Sequence, residues 1–176
     1  MAYHGRMDEP HRIRPGPPRL DGFDYRRTDV VYFVTICAAT GTPFTDLAIA
    51  SIVINALEWL RSERGIRLYA YCLMPDHLHL LLQLPESSDV AGASVLRRGS
   101  RQTLGSVIAT LKGFTNNESW RLGYEGSLWQ LNFCDHILRG YESGMRIAEY
   151  ILANPVRAGL VTKVEDYPWS GTPDPV

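Results

Sequence analysis

The stretch that most constrains the fold is IRLYAYCLMPDHLHLLLQLP, in which two apolar segments are separated only by Pro75 and Asp76. Each segment has the length of a strand, and the proline in the short break cannot continue a regular ladder. Segments joined by so short a break are typical of two antiparallel neighbours. The sequence therefore predicts a hairpin at its centre.

The other elements are arranged around this hairpin. Apolar and β-branched runs at 29–38 and 128–139 predict two further strands. Apolar residues at helical spacing predict a helix from Ile49 to near Gly65, a second one around 104–111, and a third that Pro155 stops. The order β-α-β-β-α-β-α is that of a ferredoxin-like α+β fold: an antiparallel sheet with helices packed on one face and an additional C-terminal helix carrying Tyr150.

Length and composition limit the classes of protein that fit. The chain has 176 residues, 45% of them hydrophobic and 21% charged, which suits a single domain over 1–176. Residues 1–28 are rich in Pro, Arg and Asp and predict an irregular arm that packs through Phe23 and Tyr25. The net charge of −1 gives no general evidence for nucleic acid, although it allows a local basic face.

The cysteines and the apolar runs indicate the cellular compartment in which the protein is expected. Three widely spaced cysteines without a CxxC pair favour neither a zinc knuckle nor a disulfide framework, and reduced thiols fit the cytoplasm. No apolar run approaches the roughly 18 residues of a membrane span, and the N-terminus lacks the apolar region of a signal peptide. We therefore expect a cytoplasmic protein with no membrane partner.

His77 and His79 interrupt the apolar pattern of the third predicted strand. Residues i and i+2 of a strand share a face, so these imidazoles are neighbours, roughly 6–7 Å apart at the backbone. Leu78 and Leu80 then point into the core. Two adjacent imidazoles suit a shared metal ion, but a structural pair with other polar partners is an open alternative.

Tyr150 and Asn154 form an i, i+4 pair beside the apolar stripe of the last helix. A tyrosine there is also typical of a core rim, and an asparagine before Pro155 is also typical of a helix end. The functional hypothesis is that His77, His79 and Asn154 are three metal ligands with open positions, next to a phenol that acts as nucleophile.

A basic segment lies between the hairpin and the fourth strand. Residues 94–121 contain five basic residues against one acidic residue. This cluster is either a DNA-binding surface or an ordinary solvated face. The candidates for phosphate contacts are Arg97, Arg98, Arg101 and Lys112, with Arg14 in the N-terminal arm. Trp120, Tyr124 and Trp129 are candidates for base stacking, although the position of Trp129 in a strand-like run favours the core.

Several motifs together resemble one family. YFVTIC, MPDHLHLL, TLKGFTN, LWQLNFCDHILR and YILANPVRAGLV occur in this order, followed by YPWSG, and they cover most of the chain. They resemble the single-tyrosine HUH transposases of the insertion-sequence and REP-associated type. The resemblance implies that His77 and His79 bind metal, that Tyr150 is the nucleophile, and that Asn154 is the third ligand. It also implies that Lys112 lies at the DNA face, while Asp76 replaces the Asn or Glu common before the first histidine.

The resemblance implies an activity and partners. The expected protein is a metal-dependent endonuclease and strand transferase for single-stranded DNA, using a 5′-phosphotyrosine intermediate and Mg²⁺ or Mn²⁺. Its substrate would be single-stranded or hairpin DNA at REP-like repeats in the bacterial nucleoid, and it would act as a monomer or a homodimer. Two alternatives remain: a domesticated DNA-binding module with little or no cleavage, and a small metalloprotein unrelated to DNA.

Overall fold

The computed structural model describes residues 22–86, 102–138 and 143–176. These residues form one five-stranded sheet, in which every pairing is antiparallel, and four α-helices. The strands are β1 (Val31–Cys37), β2 (Arg67–Leu73), β3 (His77–Gln83), β4 (Cys134–Ile137) and β5 (Ser170–Gly171). The helices are α1 (Leu47–Arg64), α2 (Leu104–Arg121), α3 (Gly144–Leu152) and α4 (Asn154–Arg157). The strand order β4-β1-β3-β2-β5 confirms the predicted α+β fold with its central hairpin.

The two long helices begin and end where local chemistry requires it. Asp46 caps α1 by accepting from the backbone N–H groups of Ala48 and Ile49, and Gly65 ends the helix with a φ of 65°. Thr103 and Ser106 form a reciprocal capping box at the start of α2. The first helix matches its predicted bounds closely, and the second begins where predicted but continues to Arg121.

The two faces of the sheet differ. One face packs in the main hydrophobic core, and the other carries polar side chains beside a smaller apolar cluster. Tyr32, Val34 and Ile36 of β1 are fully buried with Leu78 and Leu80 in the main core. The main core also contains the buried sides of α1 and α2. The intervening side chains lie on the opposite face, where a smaller cluster includes Ala148 and Ile151 of α3. The strand alternation thus places His77 and His79 on the face away from the two long helices, as predicted.

The fourth strand is much shorter than predicted. The sequence indicated a strand over 128–139, but β4 is limited to 134–137, and Trp129 makes only an isolated bridge to Ala38. Between these two points the backbone carbonyls of residues 130–132 accept from Lys112 instead of a neighbouring strand. A long-range side-chain contact ends the ladder there, which a local pattern cannot indicate.

The third helix also differs from its prediction. It ends at Leu152, two residues before Asn154, which begins the separate short helix α4. Pro155 explains the break, because it has no N–H to donate to the carbonyl of Ile151. The Nδ2 of Asn154 donates to that carbonyl at 3.1 Å instead.

The ends of the described chain pack onto the sheet. Phe23 and Tyr25 pack against the main core, as predicted for the arm. The C-terminal segment pairs with β2 through β5, and the Tyr167 hydroxyl donates to the Leu73 carbonyl at 2.8 Å. This segment covers an edge strand that would otherwise expose unpaired backbone groups. Among the described residues, none of the helices is both long and apolar enough to span a membrane.

Candidate active site

The histidine pair is buried and converges at its ring nitrogens. His77 is 8% exposed and His79 is 2% exposed, and their Nε2 atoms lie 3.1 Å apart. Metal–imidazole bonds of about 2.0–2.2 Å to both atoms would enclose an angle of about 90–100°. That angle is close to the one between neighbouring ligands of an octahedral ion. The pair therefore fits a bidentate metal-binding arrangement.

The outer nitrogens of both rings are held as well. The Nδ1 of His77 lies 2.6 Å from Oδ1 of Asp76, and the Nδ1 of His79 lies 2.9 Å from Oγ1 of Thr35. Such partners orient a ligating imidazole and fix which ring nitrogen carries the proton. Thr35 is not among the residues predicted for the site, although the alternation in β1 places it on the same face as His79. In the sequence, Asp76 stands out only as a departure from the family pattern.

Tyr150 lies near this pair because α3 packs on the same face of the sheet. Ala148 and Ile151 are its buried anchors, at 5% and 0% exposure. The centroid of the Tyr150 ring lies 6.5 Å from that of His79 and 6.3 Å from that of Phe33. The histidines and Tyr150 are thus brought together, as predicted.

Arg157 is a further residue at the tyrosine. Its guanidinium carbon lies 4.9 Å from the centroid of the Tyr150 ring, within cation–π distance. The guanidinium is permanently charged and therefore adds positive charge beside the phenol. The sequence analysis missed this residue, and its only signal was a basic residue seven positions after Tyr150.

Asn154 closes the end of α3 through its amide nitrogen. Nδ2 donates to the carbonyls of Tyr150 at 2.8 Å and of Ile151 at 3.1 Å. These acceptors fix the orientation of the amide, because Oδ1 in that place would face two carbonyl oxygens. The helix-end alternative is therefore confirmed, and Oδ1 is directed away from these carbonyls. Its role as a metal ligand stays a prediction.

No group of three or more His, Cys, Asp and Glu side chains that could hold an ion occurs within the ranges 22–86, 102–138 and 143–176. The histidine pair supplies two nitrogen donors, and Oδ1 of Asn154, as the predicted third ligand, would leave positions for water or substrate. Mg²⁺ and similar ions ordinarily keep several waters and bind substrate phosphates in this way. The donor set thus fits a catalytic ion with open positions better than a closed structural site.

Lys112 lies against the backbone carbonyls of the loop before β4. Its Nζ donates to the carbonyls of Gln130, Leu131 and Asn132 at 2.8–3.2 Å and lies 5.7 Å from the centroid of the Phe133 ring. Burial lowers the pKa of Lys112 to about 8, while the three carbonyl oxygens favour its charged form. The ammonium holds the loop beside β1, and its contact with DNA stays a prediction.

The other residues predicted to contact DNA include four arginines and two tryptophans. Arg14, Arg97, Arg98 and Arg101 lie outside the described residues. Trp129 is 3% exposed, and its Nε1 donates to Oγ1 of Thr115 at 2.7 Å, so the core alternative is confirmed. Trp120 is 53% exposed and could present a ring to a base.

Comparisons with known proteins were made for sequence and for structure. No family model matches the chain. A Haemophilus influenzae protein whose name assigns it to the REP-associated tyrosine transposases is 33% identical over 57% of this chain and 56% of its own length. The REP-associated tyrosine transposase of Escherichia coli is 27% identical over 66% of this chain and 60% of its own length. The chain therefore spans somewhat more than half the length of these relatives.

A solved structure of a REP-associated tyrosine transposase bound to a REP hairpin has the same fold. It matches with a TM-score of 0.63 at 23% identity, covering 84% of this chain and 81% of that chain. Fold and site together describe an α+β protein with a histidine pair on the sheet face opposite the two long helices. In sequence the chain is similar to the REP-associated tyrosine transposases, which confirms the resemblance of its motifs.

Proposed function

We propose that the protein is a metal-dependent endonuclease and strand transferase for single-stranded DNA, which cleaves through a 5′-phosphotyrosine intermediate. The observation that carries this proposal is the convergence of the two Nε2 atoms at 3.1 Å on the face where Tyr150 also lies. The names of the sequence relatives support transposase-like DNA processing. The hairpin bound to the structural neighbour supports hairpin or REP-like repeats as the substrate.

The residues that would hold the ion are His77 and His79, with Oδ1 of Asn154 as the third ligand. Mg²⁺ or Mn²⁺, when bound, would polarise the scissile phosphate and stabilise negative charge on its oxygens. Imidazole is a better ligand for Mn²⁺ than for Mg²⁺. We therefore expect Mn²⁺ to support activity at least as well as Mg²⁺.

The nucleophile in this mechanism is the Tyr150 hydroxyl. Its oxygen forms a bond to phosphorus while the bond from phosphorus to the 3′ oxygen breaks. The phenol proton is lost to solvent, and the departing 3′ oxygen takes up a proton. One phosphodiester replaces another, so the strand can be rejoined without ATP. Arg157, beside the phenol ring, is placed to attract the phosphate.

Further DNA contacts would lie outside this centre. Arg97, Arg98, Arg101 and Arg14 would neutralise phosphates, and an exposed Trp120 would stack on an unpaired base. A homodimer is compatible with this chemistry, as is a monomer.

The direct test is covalent adduct formation with labelled single-stranded and hairpin DNA that carries the repeats flanking the gene, with Mn²⁺ or Mg²⁺. The Tyr150→Phe variant keeps the aromatic ring but loses the nucleophile, so it should form no adduct. Tyr167→Phe is the matched control, because Tyr167 belongs to the same cluster but donates its hydroxyl to a backbone carbonyl. Tyr167→Phe should retain the adduct. An adduct that persists in Tyr150→Phe would refute the assignment of the nucleophile.

Metal removal separates the remaining function hypotheses. A chelator, or the variants His77→Ala and His79→Ala, should abolish the adduct while hairpin binding persists. Tight binding to the hairpin with no cleavage under any divalent ion would instead favour the domesticated DNA-binding module. Hydrolysis of a substrate without any affinity for DNA would favour the unrelated metalloprotein.

A further inference from the structure

Four polar side chains form a continuous chain of contacts across β1 and β3. Thr35 Oγ1 lies 2.9 Å from Nδ1 of His79, the two Nε2 atoms lie 3.1 Å apart, and Nδ1 of His77 lies 2.6 Å from Oδ1 of Asp76. Every link has the length of a hydrogen bond. Both imidazoles are almost completely buried, so the positions of the protons in this chain have consequences for what the pair can bind.

The contact between the two Nε2 atoms requires a proton. A neutral imidazole carries one N–H and one lone pair, and two lone pairs facing each other at 3.1 Å would repel. In the metal-free protein one ring must therefore donate from Nε2 to the other. The partners of the Nδ1 atoms determine which ring is the donor.

The carboxylate of Asp76 determines the tautomer of His77. An ionised carboxylate only accepts hydrogen bonds, so His77 must carry its proton on Nδ1 to make the 2.6 Å contact. The Asp76 side chain is 48% exposed, so its carboxylate stays in contact with solvent while it accepts from Nδ1 of His77. When both rings are neutral, His77 then presents a lone pair at Nε2, and His79 is the ring that donates from Nε2.

Thr35 is the partner that makes the opposite tautomer acceptable for His79. With its proton on Nε2, His79 has a lone pair on Nδ1, to which the Thr35 hydroxyl can donate at 2.9 Å. A hydroxyl is both donor and acceptor, and its hydrogen can rotate. The same side chain can therefore accept from Nδ1 when the tautomer changes.

We propose that Asp76 and Thr35 set the tautomers of the histidine pair, with Asp76 fixing His77 in the metal-ready form and Thr35 acting as the switch for His79. The inference rests on the proposed metal site, since a divalent ion needs the lone pairs of both Nε2 atoms. On binding, the Nε2 proton of His79 leaves to water and Nδ1 takes up a proton, so the imidazole is neutral before and after. Thr35 then rotates from donor to acceptor, while His77 keeps its proton on Nδ1.

Nitrogen NMR of the histidine-labelled protein tests the assignment without DNA. Long-range ¹H–¹⁵N correlation spectra distinguish the two neutral tautomers, and above pH ~8 free imidazole is neutral. The metal-free protein should show His77 as the Nδ1–H tautomer and His79 as the Nε2–H tautomer. Addition of Zn²⁺, a diamagnetic probe, should convert only His79 to the Nδ1–H tautomer. Two rings of the same tautomer without metal, or a change of His77 on binding, would overturn the proposal.

Variants separate a positioning role from a structural one. Asp76→Ala should weaken Mn²⁺ binding in calorimetry by about 10–100-fold, the usual effect of losing a partner of a ligating histidine. It should also release His77 into a mixture of tautomers. Thr35→Val is nearly isosteric but cannot accept from Nδ1, so it should weaken Mn²⁺ binding by about tenfold or more, whereas Thr35→Ser should restore it.

These outcomes are independent of DNA cleavage. If the wild-type tautomers and Mn²⁺ affinities behave as expected but no adduct forms, the proposed nuclease fails and the tautomer assignment stands. If Thr35→Val and Thr35→Ser bind Mn²⁺ equally well, the switch role of Thr35 is refuted. If the tautomer of His77 is unchanged in Asp76→Ala, Asp76 does not set it.

Discussion

The docking of α3 can be tested through one side chain, Ile151. This helix has nine residues, which is too short for a helix to be stable alone in water. Ile151 is 0% exposed and, with Ala148, forms the buried part of the helix in the smaller cluster. Truncation of Ile151 to Ala should therefore weaken the placement of Tyr150 rather than its chemistry.

The magnitude follows from the burial of this side chain. Ile→Ala at a fully buried site ordinarily costs about 2–5 kcal/mol, from lost burial and a residual cavity. A central value of about 3 kcal/mol corresponds to a roughly 100-fold increase in the equilibrium constant for undocking α3. Ile151→Val removes only one methylene, costs about 0.5–1.5 kcal/mol, and should have a proportionally smaller effect.

The assay is amide hydrogen exchange followed residue by residue, combined with the adduct reaction. In Ile151→Ala the amides of α3 should exchange about 100-fold faster. The control is Ile108→Ala, on α2, where Ile108 is 1% exposed in the main core. That variant should accelerate exchange in the sheet through global unfolding but leave α3 unchanged, because undocking of α3 does not involve α2.

Adduct formation and Mn²⁺ binding should respond to different extents in the Ile151→Ala variant. Adduct formation should slow in Ile151→Ala, while Mn²⁺ affinity should fall less than in His77→Ala or His79→Ala, because two of the three proposed ligands lie on β3 and only Asn154 follows α3. If α3 exchanges equally fast in Ile151→Ala and Ile108→Ala, α3 does not open as a separate unit. The reasoning would then be refuted, and the tyrosine helix would belong to the main cooperative core.

Three further predictions concern side-chain contacts elsewhere in the fold. Thr115→Val leaves the buried Nε1–H of Trp129 without its acceptor and should lower the free energy of unfolding by about 1–3 kcal/mol. Thermal unfolding should show this as a fall in Tm of about 2–4 °C per kcal/mol. An unchanged Tm would mean that the indole has another partner. The Arg61 guanidinium holds the pKa of Asp174 below its usual range, so its stabilisation is present above the ordinary carboxyl pKa and is lost as pH falls through the lowered one. The difference in unfolding free energy between wild type and Asp174→Asn should therefore shrink in acid, and a difference independent of pH would contradict this. Lys112→Met should make the 130–132 loop more sensitive to proteolysis, because the loop loses the ammonium that its carbonyls bind. If Lys112 also contacts a phosphate, as its motif predicts, the salt dependence of DNA binding should fall by about one unit of slope, and an unchanged slope would contradict that contact.

The parts of the fold that could be predicted from sequence are those determined by local burial. The helical stripes of α1 and α2, and the alternation in β1 and β3, follow from which side chains enter the main core. The end of β4 could not be predicted in this way. It depends on Lys112, a residue 18 positions away from Gln130, whose carbonyl it holds.

The candidate site shows the same limit. The spacing of His77 and His79 was enough to place two imidazoles on one face, and the resemblance of the motifs supplied Tyr150. Thr35 could not be identified, because its role comes from its register opposite His79 in the folded sheet. Asn154 was ambiguous for another reason: the same amide can end a helix with its nitrogen and bind an ion with its oxygen.

The two uses of Asn154 need not compete. Its nitrogen supplies the hydrogen bond that Pro155 cannot give, and this contact orients the amide oxygen away from α3. The side-chain amide of Asn154 therefore ends the helix with its nitrogen while its oxygen is held in a fixed direction. A variant that keeps only one of these functions can separate them. Asn154→Asp keeps an oxygen ligand but puts a carboxylate oxygen against the carbonyls of Tyr150 and Ile151, so it should loosen the C-terminal turn of α3 while preserving a metal donor. Faster amide exchange in α3 with retained Mn²⁺ affinity would support both roles, and unchanged exchange would show that the nitrogen contact does not hold the helix end.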